Sequence, residues 1–144
     1  MKRRQWLRWG CAQCAALGGL ASAQTAWETP ARFTRPDVAS DEGGLWALMD
    51  REEARLRRSP FRMREEPLGR YLSDMACRLA GEHCPDIRVY ALRTPYFNAS
   101  MAPNGMMQIW TGLLLRMDNE AQLAAVIGHE IGHYLQRHTV ERLR

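Results

Sequence analysis

The feature that most constrains this chain is the run of residues 126–138, which read VIGHEIGHYLQRH. His129 and His133 are four residues apart within a pattern of helical period. On a helix, four residues turn through about 400°, so the two imidazoles lie on one face, one turn apart. Ile127 and Ile131 lie on the opposite side. Such a helix has to pack its apolar side on other elements and leave its histidine side open.

The two histidines and Glu130 form the pattern H-E-x-x-H. Both imidazoles can reach one zinc ion at the usual bond length of about 2.0–2.1 Å. Glu130 lies about 100° further round the helix, where it can take a proton from a metal-activated water instead of binding the ion. The pattern predicts zinc bound by His129 and His133, with Glu130 as the general base. A core helix with two incidental histidines is the alternative.

A zinc enzyme usually has a third protein ligand, and the residues do not mark one. His138 does not fit the metzincin spacing. On a continuous helix it points away from the other two histidines, so we expect it to hydrogen-bond in the core. Glu141 lies about 12 Å along the helix from His133, too far to share the ion. Upstream carboxylates such as Asp118 remain open.

Residues 1–23 have the pattern of an export signal. The charged start MKRRQWLRWG precedes a small apolar run and the sequence ASA, the A-x-A form found before a cleavage point. The apolar run is too short to span a membrane. The adjacent arginines of the charged start fit either a twin-arginine or an ordinary secretory signal. We therefore expect a bacterial periplasmic or secreted protein, with no stable membrane span after the signal is removed.

The charge balance argues against nucleic acid and anionic membranes as partners. The net charge is +4, and the export signal contains four basic residues and no acidic ones. Removing those four of the 20 basic residues leaves 16, equal to the 16 acidic residues. The remaining chain is formally neutral and carries no general attraction for polyanions.

Two cysteines follow the signal, Cys77 and Cys84. An even number in an exported chain predicts one disulfide. On one helix the two would be roughly 10 Å apart along the axis, so the bond requires the helix to end near Gly81. Metal binding by Cys77, His83 and Cys84 is the alternative interpretation.

Periodicity and turn residues predict the other elements. The expected order is a flexible lead-in at 24–40, helices at 42–58 and 68–80, a strand at 86–92, a hairpin of 96–102 and 106–111, a short helix at 112–116, and a helix from 119 to the end, capped by Asp118. The predicted fold class is α+β, with the H-E-x-x-H helix packed on a small sheet or hairpin. Gly128 and Gly132 are expected to let another backbone approach that helix.

This order divides the chain into three parts. Residues 1–23 form the signal, residues 24–60 the lead-in and first helix, and residues 61–144 the N-terminal part of a zinc-binding domain. Because the last helical pattern reaches residue 144 without a cap, we expect a longer protein, of which this is the front part.

Residues 68–142 resemble the Ste-type CAAX prenyl proteases, a family of gluzincin metallopeptidases, and in particular its periplasmic, beta-barrel assembly-enhancing members. The matching stretches are LGRYLSDMACRLAG and FNASMAPNGMMQIWTGLLLRMDNEAQLAAVIGHEIGHYLQRH. The family pattern has Asn-Ala, a Pro-Gly-Gly turn, Thr-Gly-Leu-Leu, Asn-Glu-x-Glu-Leu-Ala and H-E-x-G-H, with a later Arg-His. Here those places read NA, PNG, TGLL, NEAQLA and HEIGH, followed by RH.

The resemblance implies that His129 and His133 bind one zinc ion, that Glu130 is the catalytic base, and that the third ligand is a glutamate beyond residue 144. The implied function is hydrolysis of peptide bonds in unfolded or misassembled envelope proteins. A catalytically incomplete fragment, or a chaperone-like binding module without the third ligand, is the alternative.

The predicted hairpin adds a possible substrate site. Zinc peptidases of this type commonly bind substrate as an added strand at a sheet edge. Residues 96–102 or residues 106–110 could supply that edge. The alternative is that both strands only pack against the zinc helix.

Overall fold

The computed structural model describes residues 28–142. Its elements are α1 (Asp41–Arg58), α2 (Glu66–Ala80), a 3-10 segment (Gly81–Asp86), β1 (Arg88–Leu92), β2 (Ala99–Met101), β3 (Met106–Trp110), α3 (Thr111–Leu114), α4 (Glu120–Leu135) and α5 (His138–Glu141). The predicted α+β class is confirmed. The predicted export signal lies outside the described residues. No helix within residues 28–142 combines the length and apolarity that a membrane span requires.

The three strands form one sheet in the order β1-β3-β2. β2 and β3 are the antiparallel hairpin that the sequence predicts, with Ser100 opposite Gln108. In the turn between them Gly105 has φ 88°, a left-handed conformation that glycine adopts without a steric penalty. β1 pairs with β3 in parallel, which places β3 at the centre of the sheet.

The core lies between the sheet and the helices α2 and α4. Alternate residues of a strand point to opposite faces, and the apolar side of β3 contributes Met107 and Ile109, both 0% exposed. Leu72 and Met75 of α2 meet them, with Ile127 from α4 in the same cluster. The zinc-motif helix is therefore held against a continuous apolar core.

Helix α1 is attached to the sheet by polar contacts. Its buried Glu53 accepts two hydrogen bonds from the Arg88 guanidinium, both 2.7 Å. The Tyr90 hydroxyl donates a third bond of 2.7 Å, and the Asn104 amide a fourth of 3.2 Å. Arg88 and Tyr90 lie on the same side of β1, so one carboxylate joins α1 to this strand and to the hairpin turn.

The two cysteines are bonded to each other. Helix α2 ends at Ala80, Gly81 turns the chain with φ 55°, and the Cα atoms of Cys77 and Cys84 are 4.5 Å apart. That separation lies in the range that disulfides require. His83 is fully buried nearby, and its Nε2–H donates to the carbonyl of Pro30 over 2.8 Å. This arrangement does not support the alternative metal site of Cys77, His83 and Cys84.

Replacing Cys77 and Cys84 with alanine is expected to lower the free energy of unfolding by about 2.5 kcal/mol. The bond closes a loop with a sequence separation of 7, and a loop of that size restricts the unfolded chain by about this amount. Urea unfolding followed by circular dichroism measures the change. Reduction of the unmodified protein is the matched control and should reproduce the loss, whereas equal stability of the reduced and oxidised proteins would contradict the prediction.

The lead-in differs from its prediction. The flexible segment predicted at residues 24–40 is anchored where the structure describes it. Arg32 donates two hydrogen bonds to the carboxylate of Asp86, at 2.8 and 2.6 Å. The Phe33 ring packs edge-on against Tyr134, with centroids 5.1 Å apart. The lead-in therefore contacts the helix that carries the histidine pair.

Candidate metal centre

Two side chains cap the start of α4, the helix that carries the histidine pair. The Asn119 side chain accepts a hydrogen bond from the backbone N–H of Gln122, at 3.0 Å. The Gln122 side chain accepts one from the backbone N–H of Asp118, at 2.9 Å. This reciprocal pair resembles a capping box. The prediction of Asp118 as the cap is wrong by one residue, because Asn119 has the extended backbone that a cap adopts.

The apolar side of α4 is buried as predicted. Ile127, Ile131 and Tyr134 are 0%, 3% and 5% exposed. These residues pack towards α2 and β2. The opposite side remains open, so that His129 is exposed and His133 is half-buried. The fold therefore leaves the histidine pair accessible.

The two imidazoles converge on one point. Their Nε2 atoms are 3.0 Å apart, and their ring centroids are 4.4 Å apart. Two nitrogens bound to the same tetrahedral zinc at 2.0–2.1 Å are separated by about 3.3 Å. His129 and His133 therefore fit a shared zinc ion with a movement of a few tenths of an ångström.

Glu130 lies beside this pair on the same turn of α4 and is half-buried. Its position on the helix is about 100° from His129, so it does not stack with the two imidazoles. It neighbours the point on which the imidazoles converge without being one of the converging groups. That is the arrangement expected of a base acting on a water at the metal.

The C-terminal part of the helix differs from its prediction. α4 ends at Leu135, and a second short helix, α5, begins at His138. Arg137 between them has the left-handed conformation, φ 55° and ψ 29°. The predicted continuous helix to the last residue is therefore wrong, because one left-handed residue interrupts the helical hydrogen bonds and redirects the chain.

This interruption reverses the predicted orientation of His138. His138 does not point away from the pair into the core. It is half-buried, and its Nδ1 lies 2.6 Å from Nδ1 of His133. The two nitrogens of an imidazole face different directions, and the Nε2 of His133 faces His129. His138 therefore lies behind His133, on the side away from the zinc position, and is not a ligand.

Of the three ligands that the family resemblance implies, the described residues bring together only the two histidines. Within residues 28–142 no group of three histidine, cysteine, aspartate or glutamate side chains is placed to bind one metal ion. Glu141 is exposed on α5, and Asp118 accepts a hydrogen bond from the Gln122 side chain at 3.2 Å. Neither carboxylate joins the histidine pair.

The sheet has one free edge near α4. β3 is paired on both sides, so the prediction that residues 106–110 could supply an edge is wrong. Part of the β1 edge is covered, because Met63 N–H donates to the Ala91 carbonyl and Arg93 N–H donates to the Phe61 carbonyl. β2, whose Met101 lines a small cavity together with His133, is the remaining edge.

The pairing of β2 shows which backbone groups face outward. Backbone bonds join Asn98 to Trp110 and Ala102 to Met106, at 3.1 and 2.8 Å. In an antiparallel pair such positions alternate with positions that are not hydrogen-bonded. The N–H and C=O groups of Ala99 and Met101 therefore point away from β3. They form a short template to which an extended chain could pair.

The two glycines of α4 do not have the predicted packing role. A Cβ atom added at Gly128 or Gly132 would have no described atom within 4 Å beyond its own helix. No backbone in residues 28–142 approaches the helix at these positions, so the expectation of a close neighbour is not met there.

Sequence reasoning missed the contact between His133 and His138. The sequence marks the place only by the Arg-His that the family pattern contains. A helix interruption of this kind usually carries glycine or asparagine. Because Arg137 occupies the left-handed position, periodicity alone predicts that the helix continues.

Comparison with known proteins adds an independent finding. The model of peptidase family M48 matches residues 62–144. The chain is 37% identical over 70 residues to the mitochondrial metalloendopeptidase OMA1 of Arabidopsis thaliana, covering 47% of this chain and 14% of the relative. It is 28% identical over 128 residues to the beta-barrel assembly-enhancing protease of Yersinia pestis, covering 82% of this chain and 26% of the relative.

The human mitochondrial metalloendopeptidase OMA1 is 35% identical over 54 residues, which cover 38% of this chain and 10% of the relative. The chain thus spans between a tenth and about a quarter of the length of these curated relatives. The segment matched by the family model, residues 62–144, includes the whole of α4.

Proposed function

The chain belongs to peptidase family M48, and we propose that it provides the metal-binding helix and the substrate-binding strand of a zinc-dependent endopeptidase. One observation carries this proposal above all others. The Nε2 atoms of His129 and His133 are 3.0 Å apart on the open side of α4, with Glu130 beside them.

His129 and His133 would hold the ion through Nε2, and Glu130 would act as the base. A bound zinc ion supplies a Lewis acid that polarises a carbonyl and acidifies water. The Glu130 carboxylate would accept the proton of the attacking water and then donate it to the leaving amine. We propose that a glutamate outside this sequence supplies the third ligand, as the family resemblance implies.

Substrate would bind as an extended chain along β2. The outward N–H and C=O groups of Ala99 and Met101 offer backbone hydrogen bonds that do not depend on the substrate's side chains. A folded protein offers extended segments only at its termini and loop tips, whereas an unfolded or misassembled one offers them along its length. We therefore propose unfolded or misassembled envelope proteins as substrates, reached after export through the signal at residues 1–23.

A binding module without catalysis is the second candidate. It is favoured by the fact that, within residues 28–142, no third histidine, cysteine, aspartate or glutamate side chain joins His129 and His133 in a group that could hold a metal ion. Glu130 favours the enzyme, because a module that only binds peptides has no use for a base beside the metal. The two candidates agree on the metal site and on β2, and they differ only in the role of Glu130.

Zinc binding by the purified 144-residue chain tests the site. We expect about one zinc per chain, with an affinity that His129→Ala lowers by at least about tenfold, because each histidine is one of few protein ligands. Competition with a chromophoric chelator measures the affinity. Glu130→Gln is the matched control, since it changes the adjacent residue and removes no ligand.

The control makes the outcomes distinct. Zinc retained by the Glu130→Gln variant and lost by the His129→Ala variant would support the assigned ligands. Equal zinc binding by all three proteins would contradict them. Circular dichroism of each variant checks that α4 remains folded.

A further inference from the structure

Arg137 has an unusual backbone conformation. Among residues 28–142 it is the only non-glycine residue with positive φ. The left-handed region is unfavourable for side chains with a Cβ atom, so surrounding contacts have to hold it. The Arg137 guanidinium forms an ion pair with Glu42 and lies 5.3 Å from the centre of the Phe33 ring.

These two supports belong to the N-terminal part of the chain. Glu42 lies in α1 and Phe33 in the lead-in, and both precede residue 62, where the family match begins. The interruption of α4 is therefore held in place by a segment that precedes the region matched by the family model. The ion pair is partly exposed, so its own contribution to stability is small.

The interruption places His138 against His133. On a continuous helix, residues five apart are separated by about 140° of rotation and roughly 7.5 Å of rise. In the structure the ring centroids are 4.9 Å apart and the Nδ1 atoms 2.6 Å apart. Only a redirected chain can bring these two side chains into contact.

With a metal ion bound at Nε2 of His133, the contact determines which nitrogen carries each proton. A neutral imidazole has one N–H and one lone pair. A ligand that binds through Nε2 keeps its hydrogen on Nδ1, and in His133 that nitrogen meets Nδ1 of His138. His133 Nδ1–H then donates, and His138 Nδ1 accepts and holds its own hydrogen on Nε2.

We propose that His138 is a positioning residue for His133, and that the left-handed Arg137 is what brings it into place. Resting on the proposed function, this assigns the outer hydrogen-bond partner of one zinc ligand. Such partners fix the ring orientation and the tautomer of a ligating histidine and raise its basicity. In zinc sites that partner is usually a carboxylate, a carbonyl or water, and here it is an imidazole.

Two substitutions of His138 in the full chain test the proposal. His138→Ala removes the acceptor and is expected to weaken zinc binding by about 10–100-fold. His138→Asn keeps an acceptor near the position of Nδ1 and should restore zinc affinity to within about threefold of the unmodified chain. Thermal unfolding of the metal-free variants separates loss of affinity from loss of folding. Equal zinc affinity of the unmodified chain and the alanine variant would overturn the proposal.

Two substitutions of Arg137 test the backbone. Arg137→Gly favours the left-handed conformation and removes the guanidinium, so zinc affinity should change by less than about threefold. Arg137→Val strongly disfavours that conformation, so zinc affinity should fall as far as in His138→Ala. If zinc affinity fell in Arg137→Gly and stayed unchanged in Arg137→Val, the left-handed backbone would not be what positions His138.

The hydrogen bond between His133 and His138 provides a readout that needs no metal. Nitrogen-15 NMR of the metal-free chain should show a hydrogen bond at Nδ1 of His133, with either Nδ1 atom as the donor. His138→Ala should remove that hydrogen bond and shift the Nδ1 signal. An Nδ1 signal that is the same in the unmodified chain and in His138→Ala would overturn the proposal, whatever the zinc result. Absence of zinc binding by the unmodified chain would instead mean that His129 and His133 do not hold the ion without the third ligand, and the NMR result would then decide this proposal by itself.

Discussion

Replacing Glu130 with glutamine is expected to lower kcat for peptide hydrolysis by about 10²–10⁴-fold while leaving zinc affinity unchanged. Glutamine has nearly the same shape but cannot accept a proton from water. The carboxylate is needed only as the proton moves, so kcat and kcat/KM should fall by the same factor. Cleavage of a fluorescein-labelled unfolded polypeptide, measured over a range of substrate concentrations, gives both constants.

Glu141→Gln is the matched control for the loss of a carboxylate. Glu141 is exposed on α5, beyond the interruption of the helix, and lies outside the histidine pair. Its replacement should leave hydrolysis and zinc affinity unchanged. An active Glu130→Gln variant beside an inactive His129→Ala variant would show that another group is the base. Peptide binding without hydrolysis in the unmodified protein would favour the binding module.

Helical periodicity gave the most accurate predictions of the fold. The predicted helices at 42–58 and 68–80 correspond to α1 (Asp41–Arg58) and α2 (Glu66–Ala80). The Asn-Gly turn was equally informative, because glycine relieves the steric cost of the left-handed position. These features are set by neighbouring residues, so the sequence contains the information in a local form.

Strand pairing was only partly predictable. The antiparallel pair of β2 and β3 follows from a short turn, but the parallel pair of β1 and β3 depends on contacts between residues distant in sequence. Its consequence for the site is large, because it places β3 at the centre and leaves β2 as the free edge. No pattern within residues 106–110 distinguishes a central strand from an edge strand.

The histidine pair was predictable and its surroundings were not. His129 and His133 share a helix face whatever the rest of the fold does. The position of His138 depends on one left-handed residue, Arg137, supported by contacts from Glu42 and Phe33 about 100 residues earlier in the chain. Contacts between residues so far apart in the sequence leave no local pattern from which they could be predicted.

The burial of Glu53 could not be predicted from the sequence either, because charged residues on a helix are usually exposed to solvent. It is 4% exposed and accepts hydrogen bonds from residues of α1, β1 and the hairpin turn. Burial raises the pKa of Glu53, but hydrogen bonds from Arg88 and Tyr90 outweigh that effect and bring the pKa to about 2. The ordinary value is 4.5, so the folded protein favours the ionised form.

This lowered pKa predicts a loss of stability in acid. The unfolded chain binds a proton at Glu53 near pH 4.5, whereas the folded chain resists it until about pH 2. The stabilisation is therefore complete above about pH 4.5 and is lost as the pH falls towards 2. A difference of this size corresponds to about 3 kcal/mol in the free energy of unfolding. Urea unfolding at a series of pH values measures it.

Replacing Glu53 with glutamine should lower the free energy of unfolding at pH 7 by about 3–5 kcal/mol, because Arg88 loses the charge that compensates its own partial burial. The free energy of unfolding of this variant should also lack the decrease in acid that comes from protonation of Glu53. Glu52→Gln is the matched control: the neighbouring carboxylate pairs with Arg55 in an exposed position, where such pairs contribute at most about 1 kcal/mol. Similar losses in both variants would mean that the charge of α1 matters and the buried contacts do not. A large loss confined to the Glu53 variant would show that one buried carboxylate holds α1 on the sheet.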